Sequence, residues 1–318
     1  MYGEIMLFTG NANPPLAKRI SDRLGLPMGL AQVGRFADGE TRVEIGQNVR
    51  GRDVYLIQPT CAPANDNLME LLIMTEACKR SSAGRITAVM PYFGYARQDR
   101  KAAPRAPITA KLVAELLEAA GVDRVLTLDL HAGQIQGFFR VPVDNLYARP
   151  LLYQYIKETL LTKDTVIVSP DAGGVERARA LAKFLKTGLA IVDKRRSKPN
   201  EAEVMHIIGE VAGKRVILVD DMIDTAGTLT KGGAALKAAG ASEVFAVATH
   251  AVFSEKAMPR IEESVFDTVV VTDTIPLSAR AVESGMITSI SVAPLFAEAI
   301  RSIHFNDSIS RLFLTEGI

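Results

Sequence analysis

The sequence predicts an α/β fold with two domains, each containing a mainly parallel β-sheet flanked by helices. Short apolar runs rich in β-branched residues alternate with helix-length segments along the whole chain. These runs are apolar on both faces, which is typical of parallel strands that helices cover on both sides. A length of 318 residues favours two hydrophobic cores over one.

The predicted elements follow in chain order. The predicted strands are Ile5–Phe8, Val54–Gln58, Ile86–Met90, Val125–Asp129, Val166–Ser169, Ala190–Asp193, Val216–Asp220, Val244–Thr249 and Thr268–Val271. The helical patterns between them include Asn65–Lys79, Ile108–Ala120, Gly174–Lys186 and Thr228–Ala239. Gly121 and Gly240 directly follow two of these helices, where glycine is a common stop signal.

A change in composition divides the chain near its middle. The segment 141–150 holds two prolines and several polar residues, and a new helical pattern begins at its end. Both halves then follow the same βαβ alternation. We therefore predict a first domain over residues 1–146 and a second domain over residues 147–302.

Composition argues against several classes of protein. The formal net charge is +1 and the basic residues are spread out, which argues against a nucleic-acid-binding protein. No apolar run approaches the roughly 18 residues of a membrane helix, and the N-terminus lacks a signal-peptide pattern. Cys61 and Cys78 form no CxxC pair, which favours two reduced thiols. We therefore expect a cytoplasmic protein that binds neither nucleic acid nor membrane.

The strongest functional motif is the segment 216–228, VILVDDMIDTAGT. A buried strand ends in two adjacent carboxylates, Asp220 and Asp221, and a loop of small residues then opens a helix. Backbone N–H groups of the loop and the helix N-terminus suit a phosphate, and the carboxylates suit two ribose hydroxyls. A turn without a ligand is the alternative, but two carboxylates at a buried strand end need a partner. GxxxxGK[ST] and GxGxxG motifs are both lacking, so we expect neither a P-loop nor a dinucleotide site.

A second motif is the segment 91–101, PYFGYARQDRK, which follows the predicted strand Ile86–Met90. Three cations, together with Gln98 and Asp99, suit contacts to polyphosphate and adenine. A basic run alone is more often a solvated surface. Its place at the carboxyl end of a strand and its aromatic residues favour a binding site.

Potential metal ligands follow two other strands. His131 lies in the segment 129–139, DLHAGQIQGFF, and Asp171 lies in the segment 169–174, SPDAGG. The two side chains could share a divalent cation. A lone histidine is more often a hydrogen-bonded structural residue, and Mg²⁺ prefers oxygen, so the residues alone favour a structural role for His131.

A cationic tract occupies residues 193–200, DKRRSKPN. It has few apolar neighbours and follows a predicted strand, which favours a loop able to close over a phosphoryl transition state and neutralise its charge. As an isolated tract it would be interpreted as a surface turn.

The segment 34–40, GRFADGE, offers an aromatic ring and two carboxylates. Phe36 could stack on adenine, and Asp38 and Glu40 could meet its amino group. The Asp-Gly pair by itself favours a hairpin turn, which is the preferred interpretation of this segment alone.

Together these six segments resemble the phosphate-dependent class of the ribose-phosphate diphosphokinase family. The resemblance spans nearly the whole chain and includes the segments 48–53 (NVRGRD), 65–71 (NDNLMEL) and 142–146 (PVDNL). It implies two phosphoribosyltransferase-like domains, with the tail 303–318 returning to the first. It also implies transfer of the diphosphoryl group of ATP to the C1 hydroxyl of ribose 5-phosphate, giving phosphoribosyl diphosphate and AMP for nucleotide biosynthesis.

The resemblance assigns roles to individual residues. It implies that His131 and Asp171 ligate Mg²⁺, and that Lys194 and Arg196 are catalytic residues that stabilise the transition state. The implied ATP-binding residues are Phe36, Asp38, Gly39, Glu40, Arg97 and Gln98. The implied ribose 5-phosphate-binding residues are Arg196, Asp220, Asp221, Asp224, Thr225, Ala226, Gly227 and Thr228.

Regulation and assembly are also implied by the resemblance. The family has an allosteric site for phosphate and ADP between subunits, and inorganic phosphate is the expected activator. The residues that match this site are Ser81, Ser82, Arg105, Gln134, Ser308 and Ser310. The segment 101–107, KAAPRAP, is less polar than is usual in the family. The implied assembly is a homo-oligomer, a hexamer built from dimers, in which the Phe36 loop reaches a neighbour's ATP site.

Three other functions were weighed. A phosphoribosyltransferase shares the Asp220–Asp221 loop but would not need the segments at Phe36 and Arg97. A non-catalytic regulatory subunit of the same fold would not need an intact cationic tract with Lys194 and Arg196. A nucleic-acid-binding regulator is disfavoured by the neutral net charge.

Overall fold

The structure, a computed structural model, describes residues 2–195 and 204–313. The chain divides into two compact units. The first comprises the chain up to Ala148, Thr274–Pro276 and the chain from Ser291 onward. The second comprises Arg149–Asp273 and Leu277–Ile290. Each unit is a mainly parallel sheet with helices, as the sequence predicts.

A five-stranded parallel sheet forms the centre of the first unit, in the order β1-β4-β5-β6-β7. Its strands are β1 (Ile5–Thr9), β4 (Asp53–Ile57), β5 (Arg85–Met90), β6 (Arg124–Leu128) and β7 (Val143–Leu146). Its helices are α1 (Pro14–Leu24), α2 (Ala64–Arg80), α3 (Thr109–Ala120) and α9 (Ala293–Phe305). Strands β4 and β5 are buried at every position, as expected for parallel strands with both faces covered.

A hairpin connects β1 and α1 to the rest of the first unit. It pairs β2 (Ala31–Arg35) with β3 (Thr41–Ile45) in antiparallel register. The Phe36 amide donates to the Glu40 carbonyl at 2.8 Å, and Gly39 has a φ of 94°. This left-handed conformation suits glycine, so the hairpin predicted from the Asp-Gly pair is confirmed.

A seven-stranded sheet forms the centre of the second unit, in the order β10-β9-β8-β11-β12-β13-β14. Its strands are β8 (Thr165–Ser169), β9 (Gly188–Arg195), β10 (Val204–Ile208), β11 (Arg215–Ile223), β12 (Glu243–Ala251), β13 (Thr268–Thr272) and β14 (Ile287–Ile290). Its helices are α4 (Arg149–Tyr155), α5 (Val175–Leu185), α6 (Gly227–Ala238), α7 (Ala257–Glu262) and α8 (Ala279–Glu283). The pairing is parallel except between β9 and β10.

The nine predicted strands and the four predicted helices are all present, with small shifts at their ends. The predictions missed β7, where Asp144 and Asn145 resemble a polar linker, and β14, which is a short edge strand. They also missed β2, β3 and β10. Gly121 ends α3 with a φ of 113°, which confirms its predicted role as a stop signal. Among the residues that the structure describes, no helix has the length and apolar character required to cross a membrane.

Candidate active site

The Asp220–Asp221 pair lies inside β11. The sequence predicts that the strand ends at Asp220, but β11 continues to Ile223, because its pairing with β12 extends to Ala251. Asp220 is partly buried and Asp221 is 5% exposed. The residues 224–226 then lead directly into α6, which begins at Gly227. The carboxylate pair and a helix N-terminus are therefore joined by a very short loop.

Two residues that lie later in the chain, Ser254 and Arg260, hold this loop in place. The Arg260 guanidinium donates to the Thr225 carbonyl at 2.7 Å, and the Ser254 amide donates to the Asp224 carbonyl at 3.1 Å. The Ser254 hydroxyl also contacts the Asp224 carboxylate. Ala226 adopts the left-handed conformation at φ 59°, which is uncommon outside glycine. The surrounding contacts impose this conformation, as is often seen at binding loops.

Two adjacent carboxylates with little access to solvent, Asp220 and Asp221, are electrostatically unfavourable when both are ionised. Burial, together with a hydrogen bond and repulsion from Asp221, raises the pKa of Asp220 to about 7. The Arg177 guanidinium opposes this shift and lies 3.2 Å from Asp220 and 3.6 Å from Asp221. A hydrogen-bond donor that approaches both carboxylates would relieve the same repulsion. The pair is therefore suited to a ligand with two hydroxyl groups.

Asp171 lies at the same edge of the second unit's sheet, because it follows the carboxyl end of β8, the strand that pairs with β11 in parallel. Its side chain is exposed, and its Oδ1 accepts a hydrogen bond from the Gly174 amide at 2.9 Å. The Ser169 hydroxyl donates to the Asp171 carbonyl at 2.7 Å. The carboxylate is held in place while it remains accessible to a ligand.

The catalytic residues predicted on the cationic tract fall partly outside the described residues. Lys194 belongs to β9, whose carboxyl end shares the edge of Asp171 and Asp220, but its side chain is not among those described. Arg196 lies outside the described ranges altogether. The structure therefore gives no contacts for these two side chains.

The predicted ATP-binding residues of the hairpin lie at its tip in the first unit. Phe36, Asp38, Gly39 and Glu40 are exposed, and Phe36 is 52% exposed. The Arg42 guanidinium lies 5.9 Å from the centre of the Phe36 ring. A cavity of about 480 Å³ adjoins the hairpin and the carboxyl end of β1, and its lining includes Arg35 and Arg42. An exposed ring beside arginines suits a base and its phosphates.

Arg97 and Gln98 follow the carboxyl end of β5, and both are exposed. The side-chain Oε1 of Gln98 accepts from the Thr109 hydroxyl at 2.5 Å, at the start of α3. Because the sheet is parallel, this loop shares an edge of the sheet with the carboxyl end of β1. The two groups of predicted ATP contacts therefore belong to the same unit.

His131 also follows a strand of the first unit, and it is exposed. Asp129 precedes it with a φ of 43°, and its Oδ2 accepts from the Ala148 amide at 3.1 Å. Among the described residues, no group of three or more histidine, cysteine, aspartate or glutamate side chains could hold a metal ion. A cation at His131 or Asp171 would therefore need further ligands from substrate phosphates or water, which is usual for Mg²⁺.

The six residues implied in regulation are spread over several loops of the first unit. Gln134 donates to Asp99 at 2.9 Å, and the Ser82 hydroxyl accepts from Arg50 at 3.2 Å. The Ser308 hydroxyl accepts from the Ser310 amide at 3.2 Å. Ser81 and Arg105 are exposed.

The sequence predictions missed several residues that border the site. Arg177, Ser254 and Arg260 each contact the carboxylate pair or its loop. Arg177 could have been identified from the sequence, because it stands on the first turn of the helix that follows the Asp171 motif. Ser254 and Arg260 had none, because they lie about 30 residues beyond the loop and reach it only through the fold.

Comparison with known proteins places these features in a family. The N-terminal domain of ribose phosphate pyrophosphokinase matches residues 5–121, and the phosphoribosyl synthetase-associated domain matches residues 194–314. A ribose-phosphate pyrophosphokinase of Pasteurella multocida is 59% identical over 312 residues, which cover 98% of this chain and 99% of the relative. This chain belongs to the ribose-phosphate pyrophosphokinase family.

Other members of the ribose-phosphate pyrophosphokinase family agree over the same length. The relative from Chromobacterium violaceum is 58% identical over 316 residues, covering 99% of this chain and 96% of the relative. A crystal structure of phosphoribosylpyrophosphate synthetase from Mycobacterium smegmatis superimposes with a TM-score of 0.90 at 43% identity. The match covers 96% of this chain and 100% of the chain in that crystal structure. The likeness therefore spans nearly the whole chain.

Proposed function

We propose that this chain transfers the diphosphoryl group of ATP to the C1 hydroxyl of ribose 5-phosphate, giving phosphoribosyl diphosphate and AMP for nucleotide biosynthesis. The observation that carries the proposal is the Asp220–Asp221 pair, which leads through three residues into the N-terminus of α6. It stands in a chain 59% identical, over nearly all its length, to a ribose-phosphate pyrophosphokinase.

The second unit supplies the ribose 5-phosphate site in this proposal. The carboxylates of Asp220 and Asp221 accept hydrogen bonds from ribose hydroxyls, and the backbone amides near Gly227 receive the 5-phosphate. Thr225 and Thr228 add hydroxyl donors beside the phosphate. Arg260 and Ser254 hold the loop before the ligand arrives, which reduces the entropy lost on binding.

The first unit supplies the ATP contacts. Phe36 stacks on adenine, and Asp38 and Glu40 accept from its amino group, while Arg97 and Gln98 contact the polyphosphate and adenine. Support comes from the exposure of these side chains and from the nearby cavity with Arg35 and Arg42. We also propose that Phe36 serves the site of a neighbouring subunit in a hexamer built from dimers.

His131 of the first unit and Asp171 of the second are the proposed protein ligands of Mg²⁺. His131 and the carboxylate of Asp171 are exposed and would each supply one ligand. The metal would neutralise charge on the ATP phosphates, and those phosphates and water would complete its coordination. Asp171 keeps its orientation through the Gly174 amide, so it presents its carboxylate without rearrangement.

The reaction depends on positioning and charge neutralisation. The anomeric oxygen attacks the β-phosphorus in line and forms a new O–P bond, while the hydroxyl proton is released to solvent. The bond from the β-phosphorus to the α-phosphate oxygen breaks as AMP leaves. Lys194 and Arg196 neutralise charge that develops on the transferred group. No covalent enzyme intermediate is needed.

A chromatographic assay tests the proposal. Purified protein is incubated with ATP, ribose 5-phosphate and Mg²⁺, with and without inorganic phosphate, and the products are separated. Stoichiometric AMP and phosphoribosyl diphosphate support the proposal, whereas ADP indicates a single-phosphoryl kinase. Intact ATP in both arms supports a regulatory subunit instead. Phosphoribosyl diphosphate consumed in the presence of a nucleobase indicates a phosphoribosyltransferase.

Regulation, assembly and location complete the proposal. We propose that inorganic phosphate activates the enzyme through a site that includes Ser82, Arg105 and Ser310, and that ADP competes there. Arg50 joins this group because it donates to Ser82. The proposed location is the cytoplasm, and the free, buried Cys61 and Cys78 agree with a reducing compartment. The phosphate arm of the assay and sedimentation of the purified protein test activation and assembly.

A further inference from the structure

We propose that Arg177 is a positioning residue of the ribose site, which holds the Asp220–Asp221 pair correctly placed to accept two ribose hydroxyls. The inference rests on the proposed function and deepens it. It assigns to Arg177 a role in affinity for the sugar phosphate and none in the diphosphoryl transfer itself.

The first support is the geometry of the three side chains. Asp220 and Asp221 are consecutive in β11, so a regular pleat would direct them to opposite faces of the sheet. The Arg177 Nη1 nevertheless lies 3.2 Å from Asp220 Oδ1 and 3.6 Å from Asp221 Oδ1. Asp220 Oδ1 also accepts from the Asp221 amide at 2.8 Å. One guanidinium nitrogen thus meets both carboxylates on one side.

The second support is the charge of the pair. Two adjacent carboxylates with little solvent access repel each other, and this repulsion favours protonation of Asp220. The groups that shift the titration of Asp220 are Asp221 on its own strand and Arg177 from α5. Arg177 lowers the pKa of Asp220, while Asp221 and burial raise it. Without the guanidinium the pair would more readily take up a proton, and a protonated carboxyl is a weaker acceptor for a sugar hydroxyl.

The third support is the position of Arg177 in the chain. It stands on the first turn of α5, three residues after Gly174, whose amide is bound by Asp171. Asp171, the proposed metal ligand, and Arg177 therefore belong to one short segment. The Arg177 side chain is 38% exposed, so it borders the site instead of filling it. The Asp220 side chain is 29% exposed, so a bound ribose can reach this carboxylate.

Steady-state kinetics of three variants test the inference. We expect Arg177→Met to raise KM for ribose 5-phosphate at least tenfold at pH 7.5, with kcat and KM for ATP changed less than threefold. Arg177→Lys should recover part of the affinity, because it restores the charge without the planar fork. Arg179→Met is the matched control, since Arg179 is exposed two positions further along the same helix, and it should leave all three constants unchanged.

The pH dependence separates this role from a merely structural one. As the pH is lowered, KM for ribose 5-phosphate should begin to rise at a higher pH in Arg177→Met than in wild type. The reason is that the carboxylate pair takes up a proton more readily without the guanidinium. An unchanged KM, or a fall in kcat alone, overturns the inference. If Arg177→Met does not fold, Arg177→Gln replaces it, and KM must increase in the order wild type, Lys, Gln. Wild-type protein that makes no AMP would defeat the proposed function, whereas titration calorimetry with ribose 5-phosphate would still test Arg177.

Discussion

The Nδ1 atom of His304 lies 2.7 Å from Oδ2 of Asp53, although 251 residues separate the two in the chain. Asp53 is fully buried and also accepts from Arg85, through Nε at 2.8 Å and Nη2 at 2.6 Å. The Tyr55 hydroxyl donates to the same carboxylate at 3.0 Å, and burial raises the pKa of Tyr55 well above its usual value. Arg85 further donates to the Ile303 carbonyl at 3.3 Å. This buried cluster connects α9 to the start of β4 and β5.

Asp53→Asn should destabilise the protein by about 3–5 kcal/mol, because it leaves the buried Arg85 guanidinium without its counter-charge. Equilibrium unfolding in urea, followed by circular dichroism, measures the change. Asp22→Asn is the control, since Asp22 pairs with Lys18 on the exposed face of α1 and should cost less than about 0.5 kcal/mol. Equal losses in the two variants would show that the buried cluster contributes no more than a surface pair.

Affinity for ribose 5-phosphate should fall as the pH is lowered through about 7. The pKa of Asp220 is raised to about 7, so acidification from pH 8 to 6 protonates an acceptor of the proposed ribose site. KM for ribose 5-phosphate, measured at saturating ATP, should therefore rise several-fold over this range. The folding stability of the free protein has the opposite pH dependence. The raised pKa of Asp220 contributes stability at low pH that is lost as the pH rises through about 7.

Asp220→Asn provides the control for this pH dependence. Its affinity should be lower at pH 8, and it should retain only the pH dependence that comes from the phosphate of the ligand, whose second pKa is about 6. Unfolding experiments on the same variant should show that the stability loss between pH 5 and 8 is reduced. A wild-type KM that is constant from pH 8 to 6 would contradict the assignment of Asp220 to the sugar.

Both cysteines should resist modification in the folded protein. Burial raises the pKa of Cys61 to about 11 and of Cys78 to about 12, so neither forms an appreciable thiolate at pH 8. We expect less than one thiol per chain to react with Ellman's reagent within minutes, and two after unfolding in urea. Rapid reaction without urea would mean that β4 and α2 open locally.

Lys194→Ala should lower turnover far more than affinity for ribose 5-phosphate. The expected loss in kcat is at least 100-fold, since a single charge that acts on a transition state is commonly worth that much. Ribose 5-phosphate binding, measured by titration calorimetry, should change less than threefold. Lys186→Ala, at the exposed end of α5, is the control and should have normal kinetics. A large binding defect with turnover preserved would reject the catalytic role.

Local patterns in the sequence were sufficient for nine strands, four helices and the residues that follow each of those strands, but not for β2, β3, β7, β10 and β14. Apolar runs such as Val216–Val219 form strands because parallel pairing and burial on both faces demand them. Short linkers such as the Asp-Gly turn are determined by backbone conformations of one or two residues. The carboxyl ends of parallel strands share one edge, so the motifs within each half were grouped from topology alone.

The sequence by itself therefore determined the fold class, the family and the residues that each strand carries to its carboxyl end. Only the tertiary structure decided which distant groups balance the buried charges. Arg177 reaches Asp220 from 43 residues away, and His304 reaches Asp53 from 251 residues away. A buried carboxylate needs a partner, but any cation that the fold brings near can satisfy it. Sequence periodicity describes one element at a time, whereas charge compensation depends on distances between elements.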